Sequence, residues 1–297
     1  MREIRRVLCP IDFSEYSTRA YQYALSIACH YRAKLLLQHV VELWRYSSAD
    51  YTASPVLVGE FYDTLCAEAE DQLQQLVNKY PHNGGEIERT VHQGVMPECI
   101  LDFAQTQKAD LIVMGTHGRR GFDRLLLGSV TEGVMRKASC PVLTVNKTSH
   151  EFIHSDKQPG ILHLNKILFC TDFSEYSQKA FDHAMSLAAE YKAELTLLHV
   201  LEDIPDPAKI PEATETARGQ LDHLIPAEEL DMDNIRIRTA ARIGKAYQQI
   251  IEVASEAPMD LIIMAVRGRG TLDFAVFGST THRVVQFGPC PVLIVHD

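Results

Sequence analysis

The chain has 297 residues, of which 46% are hydrophobic and 23% charged, so it encodes a folded globular protein and not a disordered one. Because domains usually hold about 100–200 residues, this length predicts two of them. The formal net charge of −10 argues against a nucleic-acid partner and against binding to anionic lipid.

The N-terminal region predicts a cytoplasmic protein with no membrane segment. No apolar run approaches the roughly 20 residues that a transmembrane helix needs. Asp12 interrupts the first apolar stretch too early for a signal peptide. The seven cysteines are odd in number and include no CxxC pair, which favours reduced, mostly buried thiols over disulfides or a metal site.

The sequence contains an internal repeat. Asp12-Phe13-Ser14-Glu15-Tyr16-Ser17 recurs without change at 172–177, and Cys140-Pro141-Val142-Leu143 recurs at 290–293. Several matches in one order predict two homologous domains. We place the first copy at residues 1–147, a linker at 148–163 and the second copy at 164–297.

Each copy alternates apolar β-type runs with segments of helical periodicity. In the first copy the pattern predicts strands at 6–11, 34–41, 88–93, 111–114 and 142–145, with helices at 17–31, 59–80, 97–107 and 129–137. In the second copy it predicts strands at 166–171, 194–200, 235–242, 261–264 and 292–295, with helices at 177–191, 211–224, 246–257 and 279–287.

Five strands that alternate with four helices predict an α/β fold: a parallel sheet with right-handed crossovers and helices on both faces. In such sheets, ligands bind at the carboxyl ends of the strands, where the strand order reverses. The residues that follow each predicted strand are therefore the first candidates for function.

The segment from Met114 to Thr131 predicts an anion site. Gly115 and Gly118 follow a buried strand, and Gly128-Ser129 open a helix nine residues later. Glycines let backbone N–H groups approach an anion, and a helix N-terminus adds unpaired N–H groups and a positive dipole. The hydroxyls of Ser129 and Thr131 and the side chains of His117, Arg119, Arg120 and Arg124 add donors or positive charge. A structural loop with Ser129 as helix N-cap is the alternative.

A second candidate lies at the end of the first strand. Asp12 follows Cys9-Pro10-Ile11 at a position where its carboxylate could accept hydrogen bonds from a ribose hydroxyl or a base amine. Asp12, Ser14 and Ser17 could instead cap the next helix. Val40 could floor a slot for a base or belong to the core. We interpret His39 and His199, which lie near the ends of their strands, as hydrogen-bonded structural histidines.

Familiar catalytic motifs are missing from the sequence: there is no GxxxxGK[ST], HExxH or GxSxG motif and no kinase signature. His150, His154 and His163 lie near one another in the linker and could hold a metal. A solvated polar tether is the interpretation that we favour there.

With these motifs in hand, the chain resembles a tandem member of the universal stress protein family, over nearly its whole length. The nucleotide-binding branch of that family carries G-2x-G-9x-G-S/T, which Gly115, Gly118, Gly128 and Ser129 match without a gap. The resemblance implies two Rossmann-like domains, each with a five-stranded parallel sheet of order 3-2-1-4-5. It also implies ATP as ligand, with Mg²⁺ as a possible companion.

By position, the resemblance implies a set of binding residues in the first copy. Adenosine would contact Pro10, Ile11, Asp12 and Val40, and the ribose and phosphates would contact Met114, Gly115, His117, Gly118, Arg119, Gly128, Ser129, Val130 and Thr131. The last strands, 142–145 and 292–295, would pair as a pseudo-dimer within one chain, and a further homodimer is possible.

The second copy keeps part of the pattern, in Thr171, Asp172, Val200, Met264, Gly268, Gly278, Ser279 and Thr280. Ala265 stands where Gly115 does. If the ligand needs a positive φ there, an alanine costs roughly 1 kcal/mol. We therefore expect weaker or absent nucleotide binding in the second copy, unless Ala265 adopts a negative φ.

Three functions stay open at this point. The first is an ATP-binding regulator of the stress response that acts without rapid turnover and engages an unknown protein partner. The second is a slow ATPase or phosphotransferase that uses Asp12 or His117. The third is a scaffold for a non-nucleotide ligand or a protein, in which the glycines are structural.

Overall fold

The computed structural model describes residues 4–42, 55–80, 85–118, 127–146, 152–153, 161–202, 206–225, 235–267 and 278–296. These form two compact units, one made of Glu3–Val142 with Ile153–Leu162 and the other made of His163–Asp297 with Leu143–Phe152. The domain bounds drawn from the sequence stay a prediction.

The first copy alternates strands and helices as the periodicity predicts. Its elements are β1 (Arg6–Pro10), α1 (Glu15–Tyr31), β2 (Lys34–Val41), α2 (Pro55–Lys79), β3 (Ile87–Gln93), α3 (Met96–Thr106), β4 (Leu111–Gly115), α4 (Ser129–Lys137) and β5 (Val142–Val145). The second copy repeats them as β6 (Lys166–Cys170), α5 (Glu175–Tyr191), β7 (Glu194–Leu201), α6 (Ile210–Leu224), β8 (Ile237–Ile243), α7 (Ala246–Glu256), β9 (Leu261–Ala265), α8 (Ser279–Phe287) and β10 (Val292–Val295).

The strand order is the one that the family resemblance implies. It runs β3-β2-β1-β4-β5 in the first copy and β8-β7-β6-β9-β10 in the second. Within each copy β1 and β4, or β6 and β9, are parallel neighbours although two other strands separate them in sequence. The chain reverses its direction of travel across the sheet between these two strands. The α/β fold prediction is therefore confirmed, and the β1/β4 junction is the expected ligand position.

Burial explains why these segments form central strands. Every residue of β4 and of β9 is buried, as expected for strands covered by helices on both faces. Helix α1 begins at the N-cap Ser14, whose side chain accepts from the Ser17 N–H, and ends at Arg32, which has a φ of 54°. Its alanine-rich face lies against the sheet, which brings the backbones of helix and strand close together.

A repeated aspartate joins β1 to β4 and β6 to β9. Asp110 Oδ2 accepts hydrogen bonds of 2.8 Å from the N–H groups of Arg5 and Arg6. In the second copy Asp260 Oδ2 accepts from Asn165 and Lys166 at 2.7 and 2.9 Å. Each aspartate directly precedes its strand, β4 or β9, and joins the starts of the two central strands of its copy.

The linker prediction needs a correction. The two residues described between 148 and 160, Phe152 and Ile153, are each only 3% exposed, and Ile153 forms an isolated antiparallel bridge with Leu162. A solvated polar tether is therefore wrong for this part of the linker, because burial of the two apolar side chains fixes it. His150 and His154 lie outside the described residues.

All seven cysteines are free thiols, as the sequence predicts. Burial raises the pKa of Cys140 to about 12 and raises the pKa values of the Cys9, Cys170 and Cys290 thiols further. No helix in the described part of the chain is long and apolar enough to cross a membrane.

Loss of the hydrogen bonds that Asp110 and Asp260 accept should destabilise the two copies unequally. Asp260 is 5% exposed and its two hydrogen bonds are partly buried, whereas Asp110 and its two hydrogen bonds are exposed, so Asp260→Ala leaves its donors with poorer access to water. We expect Asp260→Ala to lower the free energy of unfolding by about 2 kcal/mol and Asp110→Ala by less than about 1 kcal/mol. Urea unfolding of both variants measures this, and equal losses would contradict it.

Candidate functional site

The turn after β1 sets the position of the Asp12 carboxylate. The Ile11 N–H still donates to the Gln38 carbonyl at 2.8 Å, so the chain leaves the sheet only after Ile11. Asp12 Oδ1 accepts from the Ser14 N–H at 3.0 Å. Ser14, and not Asp12, is the N-cap of α1. The capping alternative is therefore confirmed for Ser14 and Ser17, and Asp12, two residues before the cap, binds the N–H of the cap residue.

The carboxyl end of β4 approaches this turn closely. A Cβ on Gly115 would lie 2.8 Å from Tyr16 Cβ and 2.9 Å from the Tyr16 carbonyl carbon. These Tyr16 atoms are the backbone of α1 and the Cβ attached to it, so they could move only if the helix itself shifted. Gly115 is therefore required by the packing of α1 on β4.

Gly118 brings the two predicted motifs together. A Cβ at this position would lie 2.8 Å from Asp12 Oδ2. The Asp12 carboxylate, placed by β1, thus lies directly beside the backbone that leaves β4. This is the juxtaposition expected of two neighbouring parallel strands whose carboxyl ends share one edge of the sheet.

Helix α4 begins beside the same backbone. The Gly128 N–H donates to the Thr116 carbonyl at 2.9 Å, and the Thr131 hydroxyl donates to the Gly115 carbonyl at 2.8 Å. Gly128 is the N-cap, with no side-chain hydrogen bond at the cap, and the exposed Ser129 is the first helical residue. Ser129 is therefore not the N-cap that the structural alternative required. The N-terminus of α4 presents backbone N–H groups that no capping side chain covers.

Two sequence-predicted donors need a closer description. Thr131 is 4% exposed and donates its hydrogen to Gly115, so its hydroxyl joins helix to strand. His117 is 7% exposed, its Nδ1 lies 2.9 Å from Thr116 Oγ1, and its ring lies 5.0 Å from that of Tyr16. Of the two predicted hydroxyls, Ser129 is the one that stands exposed at the helix start.

The apolar candidates lie near the carboxyl ends of β1, β2 and β4 and in the first turn of α4. Pro10 ends β1 opposite Gln38, and Val40, which is 5% exposed, lies two residues farther along β2. Met114, at 4% exposed, precedes Gly115 in β4. Val130 follows Ser129 in the first turn of α4. Arg119, Arg120 and Arg124 lie outside the described residues.

The second copy preserves the same framework with different side chains. Asp172 Oδ1 accepts from the Ser174 N–H at 3.1 Å, and Gly278 is the N-cap of α8, before Ser279 and Thr280. The Thr281 hydroxyl donates to the Ala265 carbonyl at 3.3 Å. Val200 and Met264 hold the places of Val40 and Met114, whereas Gly268 lies outside the described residues.

The reason that we gave for asymmetry between the copies is wrong. Among the described residues, the glycines with positive φ are Gly85, Gly94 and Gly244, and Ala265 is not among the other residues with positive φ. Gly115 therefore serves the close approach of α1, and no left-handed conformation penalises Ala265. The exception stated for that prediction is therefore met, so weaker nucleotide binding in the second copy is no longer expected and both copies stay candidates for nucleotide binding.

The sequence analysis missed three contributors. Tyr16 packs on Gly115 and His117, Thr116 binds both His117 and Gly128, and Phe13 adopts a φ of 62°. Phe13 and Tyr16 belong to the six-residue run that recurs unchanged in the second copy. That recurrence was the signal in the sequence that could have pointed to Phe13 and Tyr16. No group of three or more His, Cys, Asp or Glu side chains in the described ranges could hold a metal ion.

Comparison with known proteins gives one consistent result. The sequence profile of the universal stress protein family matches residues 3–146 and 163–296. A universal stress protein of Mycolicibacterium smegmatis is 25% identical over 97% of this chain and 96% of its own length. Universal stress protein MJ0531 of Methanocaldococcus jannaschii is 35% identical over 50% of this chain and 85% of its own length.

A solved structure shares the fold over the whole chain. The crystal structure of a universal stress protein from Archaeoglobus fulgidus aligns with 98% of this chain and 96% of its own, with a TM-score of 0.67 and 20% identity. At that identity the likeness concerns the fold alone.

The close approach at Gly115 gives a test with a matched control. Gly115→Ala places a methyl group against the Tyr16 backbone, and we expect it to lower the free energy of unfolding by about 1–3 kcal/mol. The reverse change in the second copy, Ala265→Gly, should cost no more than about 1 kcal/mol, from backbone entropy. Chemical denaturation measures both. A Gly115→Ala protein as stable as the wild type would contradict the packing described.

Proposed function

Because the chain belongs to the universal stress protein family, we propose that its first copy binds ATP at the β1/β4 junction. In this proposal the protein is a nucleotide-dependent regulator of the stress response without rapid turnover. The residues involved would be those around the Asp12 carboxylate, the backbone from Gly115 to Gly118 and the start of α4.

One observation carries the proposal: the Asp12 carboxylate and the uncapped N-terminus of α4 both lie beside the backbone of residues 115–118. Asp12 Oδ2 lies 2.8 Å from the Cβ position of Gly118, and the Gly128 N–H binds Thr116 two residues before that glycine. A carboxylate suits ribose hydroxyls or an amine, and a helix N-terminus suits phosphate oxygens. A nucleotide carries both kinds of group on one molecule.

The two ends of the site assign the two ends of the ligand. In this proposal the apolar residues Pro10 and Ile11, which precede Asp12, and Val40, near the end of the neighbouring strand β2, would contact the adenine ring. Ser129 and Val130 begin α4, where the N–H groups and the Ser129 hydroxyl would bind phosphate oxygens. Mg²⁺ would arrive on the triphosphate, because Mg²⁺ in nucleotide sites is usually held by few protein ligands and by the phosphates themselves.

Slow turnover follows from the placement of the titratable groups. Asp12 Oδ1 is engaged by the Ser14 N–H, and we assign Oδ2 to the nucleoside end, away from the γ-phosphate. His117 packs against Tyr16 and Thr116 and is 7% exposed. On this assignment we expect neither group to act as a general base for water attack on phosphorus. A slow ATPase is the second candidate, and a scaffold without nucleotide is the third.

The regulatory part of the proposal concerns partners. A bound nucleotide that is not consumed can report its own concentration only through a protein that distinguishes the bound from the free state. We expect such a protein partner and no nucleic-acid partner, given the net charge of −10. Pairing of the last strands as a pseudo-dimer, with or without a further homodimer, remains part of the proposal.

Calorimetric titration with ATP tests the site. Wild-type protein should show a tight site that Gly128→Asp abolishes, because the new carboxylate would face the phosphates at the N-terminus of α4. Gly118→Val should weaken ATP at least tenfold, because its side chain would displace the Asp12 carboxylate. The matched control, Gly278→Asp at the start of α8, should retain the tight site.

Circular dichroism must show that each variant stays folded. Unchanged ATP affinity in folded Gly128→Asp and Gly118→Val would overturn the placement. A universal stress protein of solved structure is in complex with cAMP, so cAMP is the comparison ligand in the same titration. Binding of neither nucleotide would favour the scaffold function.

Phosphate release separates the regulator from the enzyme. With millimolar ATP and Mg²⁺ we expect turnover well below about 1 s⁻¹, the lower end of ordinary enzyme rates. A malachite-green assay over hours, with Asp12→Asn as the comparison, measures it. Turnover near 1 s⁻¹ that Asp12→Asn or His117→Ala removes would establish the ATPase instead.

A further inference from the structure

A histidine and a strained phenylalanine hold the Asp12 turn in place. His39 Nδ1 lies 2.6 Å from the Ile11 carbonyl oxygen. A carbonyl oxygen only accepts hydrogen bonds, so Nδ1 carries the hydrogen and donates it. The sheet register between β1 and β2 ends at Pro10 and Gln38. The imidazole thus binds the backbone just where the chain leaves the sheet.

Phe13 lies on the other side of Asp12 and contacts the same histidine. Its backbone has a φ of 62°, a left-handed conformation that is unfavourable for a bulky side chain. Its ring lies 4.7 Å from the His39 ring at an angle of 36°. Glycine or asparagine would adopt this φ with less strain. We therefore expect the contacts of the phenylalanine ring to offset the strain of its backbone.

The second copy contains the same arrangement. His199 Nδ1 lies 2.8 Å from the Thr171 carbonyl, and Phe173 has a φ of 60°. The ring centroids of Phe173 and His199 are 4.4 Å apart at 36°. The side chain before the aspartate differs between the copies, Ile11 or Thr171, yet the hydrogen bond persists because its acceptor is the backbone.

The two contacts bracket the aspartate. His39 binds the carbonyl of Ile11, the residue before Asp12, and packs on the ring of Phe13, the residue after it. The Asp12 side chain then has its Oδ1 held by the Ser14 N–H and its Oδ2 beside Gly118. The orientation of the carboxylate therefore depends on His39, which lies on a different strand.

We propose that His39 is a positioning residue for nucleoside recognition: through the Ile11 carbonyl and the Phe13 ring it aims the Asp12 carboxylate at the nucleoside part of the ligand. This inference rests on the proposed ATP site and adds a residue that acts through Asp12. It implies that His39 affects the nucleoside end of the ligand and leaves the phosphate end unaffected.

A double-mutant cycle between His39 and Asp12 tests the inference, with ATP and inorganic tripolyphosphate as the two probes. His39→Phe keeps an aromatic ring beside Phe13 but removes the donor. We expect it to raise the Kd for ATP about tenfold, the size of one lost hydrogen bond, and to leave the Kd for tripolyphosphate within about twofold. Asp12→Asn should behave in the same way, and the double variant should be no weaker than the weaker single variant.

A conservative variant and a control keep the result interpretable. His39→Asn retains an N–H donor near the Nδ1 position, so it should recover ATP affinity to within about threefold of wild type. It is also the variant to use if His39→Phe does not fold. His223→Phe is the control for the first copy, because His223 Nδ1 also lies 3.1 Å from a carbonyl, that of Gly219, but within α6 of the second copy.

The possible results separate the inference from the function on which it rests. Wild-type protein that binds neither probe overturns both. Wild-type protein that binds ATP and keeps its affinity in His39→Phe overturns the positioning role alone. Equal losses for ATP and tripolyphosphate also overturn it, because they would show a general effect on the site. Losses that add in the double variant overturn it as well, because they would show that His39 does not act through Asp12.

Discussion

The contact between the Asp12 carboxylate and the backbone at Gly118 is the constraint on which the site depends. It exists because β1 and β4 are parallel neighbours that the chain visits far apart in sequence, so their carboxyl ends meet at one edge of the sheet. Any side chain at 118 would occupy the space beside Asp12 Oδ2. The same backbone continues to the start of α4, which joins a carboxylate to a helix N-terminus within one short region.

The three glycines of the family motif serve three different purposes in the first copy. Gly115 lets α1 pack on β4, Gly118 leaves room beside the carboxylate, and Gly128 opens α4 without a capping side chain. None of the three is among the described residues of positive φ. These glycines are therefore needed where other atoms lie close to the backbone, and not because the backbone adopts an unusual φ. In the second copy Ala265 stands at the first of these three positions, and Gly278 keeps the third.

Much of the fold could be predicted from the sequence, because periodicity reports burial directly. The bounds of β2, α4, β5, α8 and β10 match the pattern to the residue, and the repeat fixed the relation between the copies. The pairing of Asp12 with Gly118 followed from strand topology. The sequence predicted that His39 and His199 are hydrogen-bonded structural histidines. What it could not predict depends on tertiary contact: a phenylalanine at positive φ, the backbone carbonyl that each histidine binds, and two buried linker residues. Backbone propensity disfavours a phenylalanine at positive φ. The polar composition of the linker gives no sign that Phe152 and Ile153 are buried.

The measurement that addresses the central claim most directly is the identity and amount of small molecule carried by the purified chain. Native mass spectrometry, followed by denaturation and analysis of the released material, gives both. We expect an adenine nucleotide in the wild-type protein, and its loss from a chain whose Gly118 has been replaced by a larger residue. A wild-type chain of bare polypeptide mass that also fails to take up added ATP would contradict the account.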